Sequence, residues 1–85
     1  MPNSADTLGW AYFQNGAYSL AVSPLEEAVK GAPSNATHRY HLAMTYQKLN
    51  DTKRARSEFE KSIRLDPNAP SAEKASRALG EPSGS

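Results

Sequence analysis

The sequence predicts an all-α fold: two copies of a helix–turn–helix hairpin, followed by one shorter helix. Three observations predict it. The chain repeats itself at a spacing of 34 residues: Leu8 with Leu42, Tyr12 with Tyr46, Ala21 with Ala55, Leu25 with Phe59, Val29 with Ile63 and Pro33 with Pro67. Gly9 meets Ala43 and Ala28 meets Ser62, small against small. Within each copy, apolar and small residues recur every three or four positions, the period of one helix face. No alternating β-branched run appears, so the strand signal is nil.

The elements follow in order. Ala5, Leu8 and Tyr12 mark the core face of a first helix. The turn "QNGAY" ends it, because Gly16 can take the left-handed conformation of a C-terminal stop. Ala21, Leu25, Ala28 and Val29 mark a second helix, which "GAPSN" breaks. Leu42, Ala43 and Tyr46 give a third, and Ala55, Phe59, Ser62 and Ile63 a fourth, after the turn "LNDTK" with Asp51 or Thr52 as N-cap. After the stop "DPNAP", Ala72, Ala75, Ser76 and Leu79 give a fifth helix a narrow apolar face that Gly80 closes. One residue conflicts locally: Pro24. "SPLEE" reads as a helix start, with Ser23 as cap, yet the repeat register wants a helix running from about Ala17. Because Ala21 and Leu25 keep their spacing across it, the expectation is one kinked helix, with a break at Ser23 as the alternative.

Composition bounds the function. At 85 residues the chain makes one domain. Its net charge of +1 gives no electrostatic footprint for nucleic acid. It has no cysteine, which excludes disulfides and thiolate metal sites and leaves the redox compartment open. No apolar run reaches the roughly 20 residues of a membrane span. "MPNSADT" lacks the basic and apolar regions of a signal peptide. Localisation stays open. "KRARSEFEKSIR" is basic, but Glu58 and Glu60 interleave with its cations, so a solvated face with i,i+4 ion pairs is expected rather than a nucleic-acid patch.

With this period, the small residues at Gly9, Ala21 and Ala28, the aromatic at Tyr12 and the proline at Pro33, the chain resembles the tetratricopeptide repeat (TPR) family. The second copy matches at Leu42, Ala43, Tyr46, Ala55, Phe59 and Pro67. "DTLGWAYFQNGAY" and "HRYHLAMTY" look like the last repeats of longer bacterial proteins of that family. Ala5 and Arg39 depart from it, standing where the family often has tryptophan. The resemblance implies a right-handed α-solenoid. Its expected divisions are a flexible N-terminus (1–4), a first repeat (5–35), a second repeat (36–69), a capping helix (70–80) and a disordered tail (81–85). It implies protein–protein interaction without catalysis and without a cofactor.

The aromatic stretch "TLGWAYFQNG" locates a candidate site. Setting Leu8 at 0° and stepping about 100° per residue puts Tyr12 at about 40° and Ala5 at about 60°, while Phe13, Asp6 and Trp10 fall at about 140°, 160° and 200°. Tyr40, Met44 and Gln47 repeat Asp6, Trp10 and Phe13. In the TPR fold this side lines the concave groove. The resemblance therefore suggests partner-binding residues Asp6, Trp10, Phe13, Gln14, Tyr40, Met44, Gln47, Lys48 and Lys74. Aromatics and methionine are what interfaces prefer. Two other roles stay open for Trp10: a contact with another subunit or a preceding repeat, and plain core. Some TPR domains clamp a terminal carboxylate with lysine, asparagine and arginine. The corresponding places hold Asp6, Trp10, His41, Ser71 and Ala75, which match none of these, so an apolar peptide or amphipathic helix is the expected partner. The polar outer face of the last helix suits a cap. The first helix has none, so the alternative function is a self-associating or terminal segment of a longer array.

Catalytic signals are absent from the sequence. His38 and His41 share a helix face, but no third ligand stands at a convincing spacing, and two partner-facing or exposed histidines are the expected reading. There is no phosphate loop and no nucleophile motif. Leu8→Ala, Tyr12→Ala and Phe59→Ala are each expected to cost about 2–5 kcal/mol, as core truncations do.

Overall fold

The computed structural model describes residues 5–80; the expectations of a flexible N-terminus at 1–4 and a disordered tail at 81–85 lie outside the described residues. The described residues form five helices and no strand: α1 (Ala5–Gln14), α2 (Tyr18–Gly31), α3 (Ala36–Lys48), α4 (Thr52–Leu65) and α5 (Pro70–Ala78).

Local chemistry sets the ends of these helices. Gly16, at φ 80°, ends α1 in the left-handed region. Asn50, its counterpart 34 residues on, does the same for α3 at φ 65°. The chain then turns back identically: Ala17 N–H donates to the Tyr12 carbonyl at 2.9 Å, and Asp51 N–H to the Tyr46 carbonyl at 2.9 Å. Asn35 caps α3 by accepting from the His38 N–H at 2.9 Å, and Asp51 caps α4 by accepting from the Arg54 N–H at 3.2 Å. α5 opens on Pro70, where a proline's missing N–H is no loss.

α2 runs unbroken through Pro24. The spacing of Ala21, Leu25 and Ala28, all buried, decides this, since a break at Ser23 would turn them apart. Pro24 has no N–H to give the Leu20 carbonyl four residues earlier. Leu20 is 60% exposed, which leaves that turn open to water.

The core joins Ala21 and Leu25 of α2, Leu42, Ala43 and Tyr46 of α3, Ala55 and Phe59 of α4, and Ala75 of α5. Small residues allow the close helix approaches. At Gly9, the buried residue of α1, an added Cβ would lie 2.5 Å from Leu25 Cγ and 3.2 Å from the Leu25 nitrogen. Among the described residues, the two buried polar residues, Ser62 and Thr45, are both hydrogen-bonded, whereas the buried His38 Nδ1 has no partner. Ser62 Oγ donates to the Ala36 carbonyl at 2.8 Å and Thr45 Oγ1 to the His41 carbonyl at 2.9 Å. Tyr46 Oη donates to Glu26 Oε2 at 2.5 Å, tying α3 to α2. The basic stretch on α4 pairs as expected at Arg56 with Glu60, 3.9 Å, but Glu58 turns inward to meet Arg39 of α3 at 2.8 Å.

One core assignment is corrected. Leu8 is 50% exposed, whereas Leu42, its repeat partner, is 3% exposed. The same register buries the second because α2 packs on α3; among the described residues no helix takes that place against α1. α1 and α3 lie side by side, as do α3 and α5, while α2 and α4 make no close approach. The array therefore curves around the α1–α3–α5 side.

Candidate functional site

The inner side carries a row of aromatic rings. Trp10 and Phe13 are three residues apart on α1, so their rings neighbour each other, stacked at 4.5 Å and 10°. On its other side Trp10 meets His41 of α3, stacked at 3.9 Å and 12°. Asp6, one turn before Trp10, reaches the same imidazole: its Oδ1 lies 2.9 Å from His41 Nδ1. A carboxylate on that nitrogen fixes the ring's orientation. The row extends at both ends. Phe13 meets the edge of Tyr18 at 5.1 Å, and Tyr40 lies 6.2 Å from His41 and 6.0 Å from Phe59. Lys48 Nζ sits 5.9 Å above the Tyr18 ring, within cation–π range. Rings from α2, α1 and α3 thus line up in the order Tyr18, Phe13, Trp10, His41, Tyr40.

The nine residues suggested by the sequence take different places. Trp10 and Phe13 stand at the centre of the row, half-buried. Tyr40 and Met44 are half-buried on α3 and pack against the core. Asp6 is engaged by His41, and its side chain is 16% exposed. Gln14, Lys48 and Lys74 are exposed, on α1, α3 and α5. Gln47 is exposed and turns to a cavity of about 150 Å³ between the ends of α3 and α5 and the start of α4.

His41 and Tyr18 were missed. His41 is half-buried, and its Nδ1 is engaged by Asp6. Among the described residues no three histidine, aspartate or glutamate side chains gather as a metal would need. A single-helix projection cannot show a stack made across two helices. The signal within reach was composition: an imidazole and a carboxylate on adjacent inner helices, each beside an aromatic.

Burial raises the pKa of the Tyr40 phenol. Burial, then the hydrogen bond to Glu26, pushes that of Tyr46 well above the ordinary range, against the smaller opposing pull of Arg54. Both phenols stay protonated at neutral pH, and the rings offer flat apolar surface with cationic company from Lys48. No helix among the described residues is long and apolar enough to cross a membrane.

A family model, the tetratricopeptide repeat, matches residues 7–70, three-quarters of the chain. No curated protein matches the chain. The match covers both hairpins, α1 to α4, and on that ground this chain belongs to the tetratricopeptide repeat family, whose repeats are generally protein-interaction modules.

Proposed function

We propose that this protein is a non-catalytic interaction module that holds a partner peptide or amphipathic helix in the groove along α1, α3 and α5. The observation that carries the reading is the Phe13–Trp10–His41 stack, half-buried on the inner side. Three stacked rings make a rigid apolar platform whose ordering is prepaid by folding, so a partner loses little to conformational entropy on that side. Met44 and Tyr40 extend the platform, Lys48, Lys74, Gln14 and Gln47 supply polar rim contacts, and Asp6 acts through His41. Apolar side chains of the partner lie on Trp10 and Met44.

The test is a peptide selected from a displayed random library and titrated against the wild-type protein and Trp10→Ala. The expected result is an affinity loss of about 30-fold or more, the size of an interface hot spot, with far-UV ellipticity retained. Unchanged affinity overturns the groove reading, as does loss of helix content, which is core behaviour.

A second reading has its own support. Leu8 is 50% and Leu20 60% exposed in the first hairpin. In the second hairpin the place of Leu8 is taken by Leu42, which α2 covers. A preceding hairpin or a second copy of the chain would cover Leu8 in the same way, making the molecule a self-associating or terminal segment of an array. Trp10 is the only tryptophan. A concentration-dependent mass with unchanged Trp10 emission would favour this reading over the groove.

A further inference from the structure

The two hairpins differ at one point that the groove reading does not explain. In the first hairpin, Phe13 and Tyr18 pack edge to face at 5.1 Å where α1 turns into α2, and Met44 of the next inner helix packs against the core. Thirty-four residues on, these three places hold Gln47, Thr52 and Ala78. Three large side chains have become three smaller ones. On the facing wall Leu25 becomes Phe59 and Thr45 becomes Leu79, but the gain does not fill the space. A cavity of about 150 Å³ remains, lined by Gln47, Thr52, Ala55, Arg56, Phe59, Ala78 and Leu79.

The occupant this cavity fits follows from the comparison within the chain. The same position in the first hairpin is filled by aromatic rings. The lining is apolar at Ala55, Phe59, Ala78 and Leu79 and polar at the Gln47, Thr52 and Arg56 side, and its volume is that of a cavity able to admit one benzene-sized ring, with the polar side open to solvent. Phe59 is 1% exposed and forms the floor of the cavity, while Ala78 and Leu79, half-buried, carry its open apolar surface. Arg56 at the wall holds only a loose ion pair, 3.9 Å from Glu60, so its guanidinium is available to an electron-rich ring. The cavity adjoins the groove, since Ala78 continues the series Trp10, Met44 on the inner helices.

We propose that this cavity is a specificity pocket for one aromatic side chain, phenylalanine or tyrosine, of the partner held in the groove. The inference rests on the groove reading for the partner's course and on the cavity alone for the ring. The bound partner supplies in the second hairpin the ring that Tyr18 and Phe13 supply in the first.

The test uses p-cresol, the tyrosine side chain, titrated into the full chain while the methyl resonances of Ala55, Ala78 and Leu79 are followed by NMR. The expected result is a saturable shift of the methyls of these three residues. In Thr52→Tyr, which restores the ring of the first hairpin, the expected result is a shift that is lost and a melting temperature no lower than wild type. Gln47→Phe serves the same purpose should Thr52→Tyr fail to fold. Absence of a saturable shift overturns the proposal, and so does an unchanged shift in the filled variant. Trp10→Ala separates the two readings: it is expected to lose the library-selected peptide and keep p-cresol. A protein that binds the peptide through Trp10 but ignores p-cresol keeps the groove and loses the pocket.

Discussion

Leu8 and Leu42 are the same residue at the same point of the same repeat, 3% exposed in one copy and 50% in the other. Periodicity reports which face of a helix is apolar, not whether a neighbour covers it. The revised expectation separates the pair. Leu42→Ala costs about 2–5 kcal/mol, as a buried truncation does, and Leu8→Ala stays within about 1 kcal/mol, as surface changes do. Chemical denaturation of both variants checks this. Equal losses would mean that Leu8 is covered in solution. Trp10 teaches the converse. Its angle on α1 set it away from Leu8, and its ring then found His41 on another helix. Helix geometry put Trp10 and Phe13 together in the sequence, whereas His41 and Tyr18 join the row only through packing between helices.

At the scale of the element, most helix ends were legible because caps are local. Gly16, Asp51, Pro70 and Gly80 act within three or four residues of themselves, and each does what its chemistry dictates. Asn50 in the left-handed region is the same stop in a different residue. Pro24 is the instructive case. Local rules read Ser23-Pro24 as a beginning, and burial of Ala21, Leu25 and Ala28 overrides them, since packing three residues outweighs one missing hydrogen bond. The missing bond still has a price: an interior proline costs about 3 kcal/mol against alanine. Pro24→Ala is therefore expected to raise unfolding stability by about 1–3 kcal/mol, measured by denaturant titration. A lower stability would show that the Pro24 ring packs in a way alanine cannot replace.

For the whole molecule, the join between hairpins decides cooperativity. Tyr46 is 7% exposed and donates across that join to Glu26. Its phenol pKa is raised in the folded chain, first by burial and then by Glu26. A raised pKa contributes stability in full below the unfolded value of about 10. That contribution is lost as pH climbs above it, at about 1.4 kcal/mol per unit for one proton. Tyr46→Phe removes the titration together with the hydrogen bond. The variant is expected to be about 1–2 kcal/mol less stable at pH 7 and to lose stability less steeply between pH 10 and 11. Parallel pH profiles for the two proteins would mean that Tyr46 does not carry the join.

The sequence by itself determined the helices, their 34-residue register and the small residues that let them meet, because caps, helix period and side-chain volume act along the chain. It also determined the family, since that register is the family's signature. The tertiary structure alone decided which apolar positions are covered, that Asp6 serves His41, and that a cavity stands where Gln47 and Thr52 replace two rings. Each of these depends on residues tens of positions apart or on a neighbouring helix, and distance along the chain carries no information about distance across it.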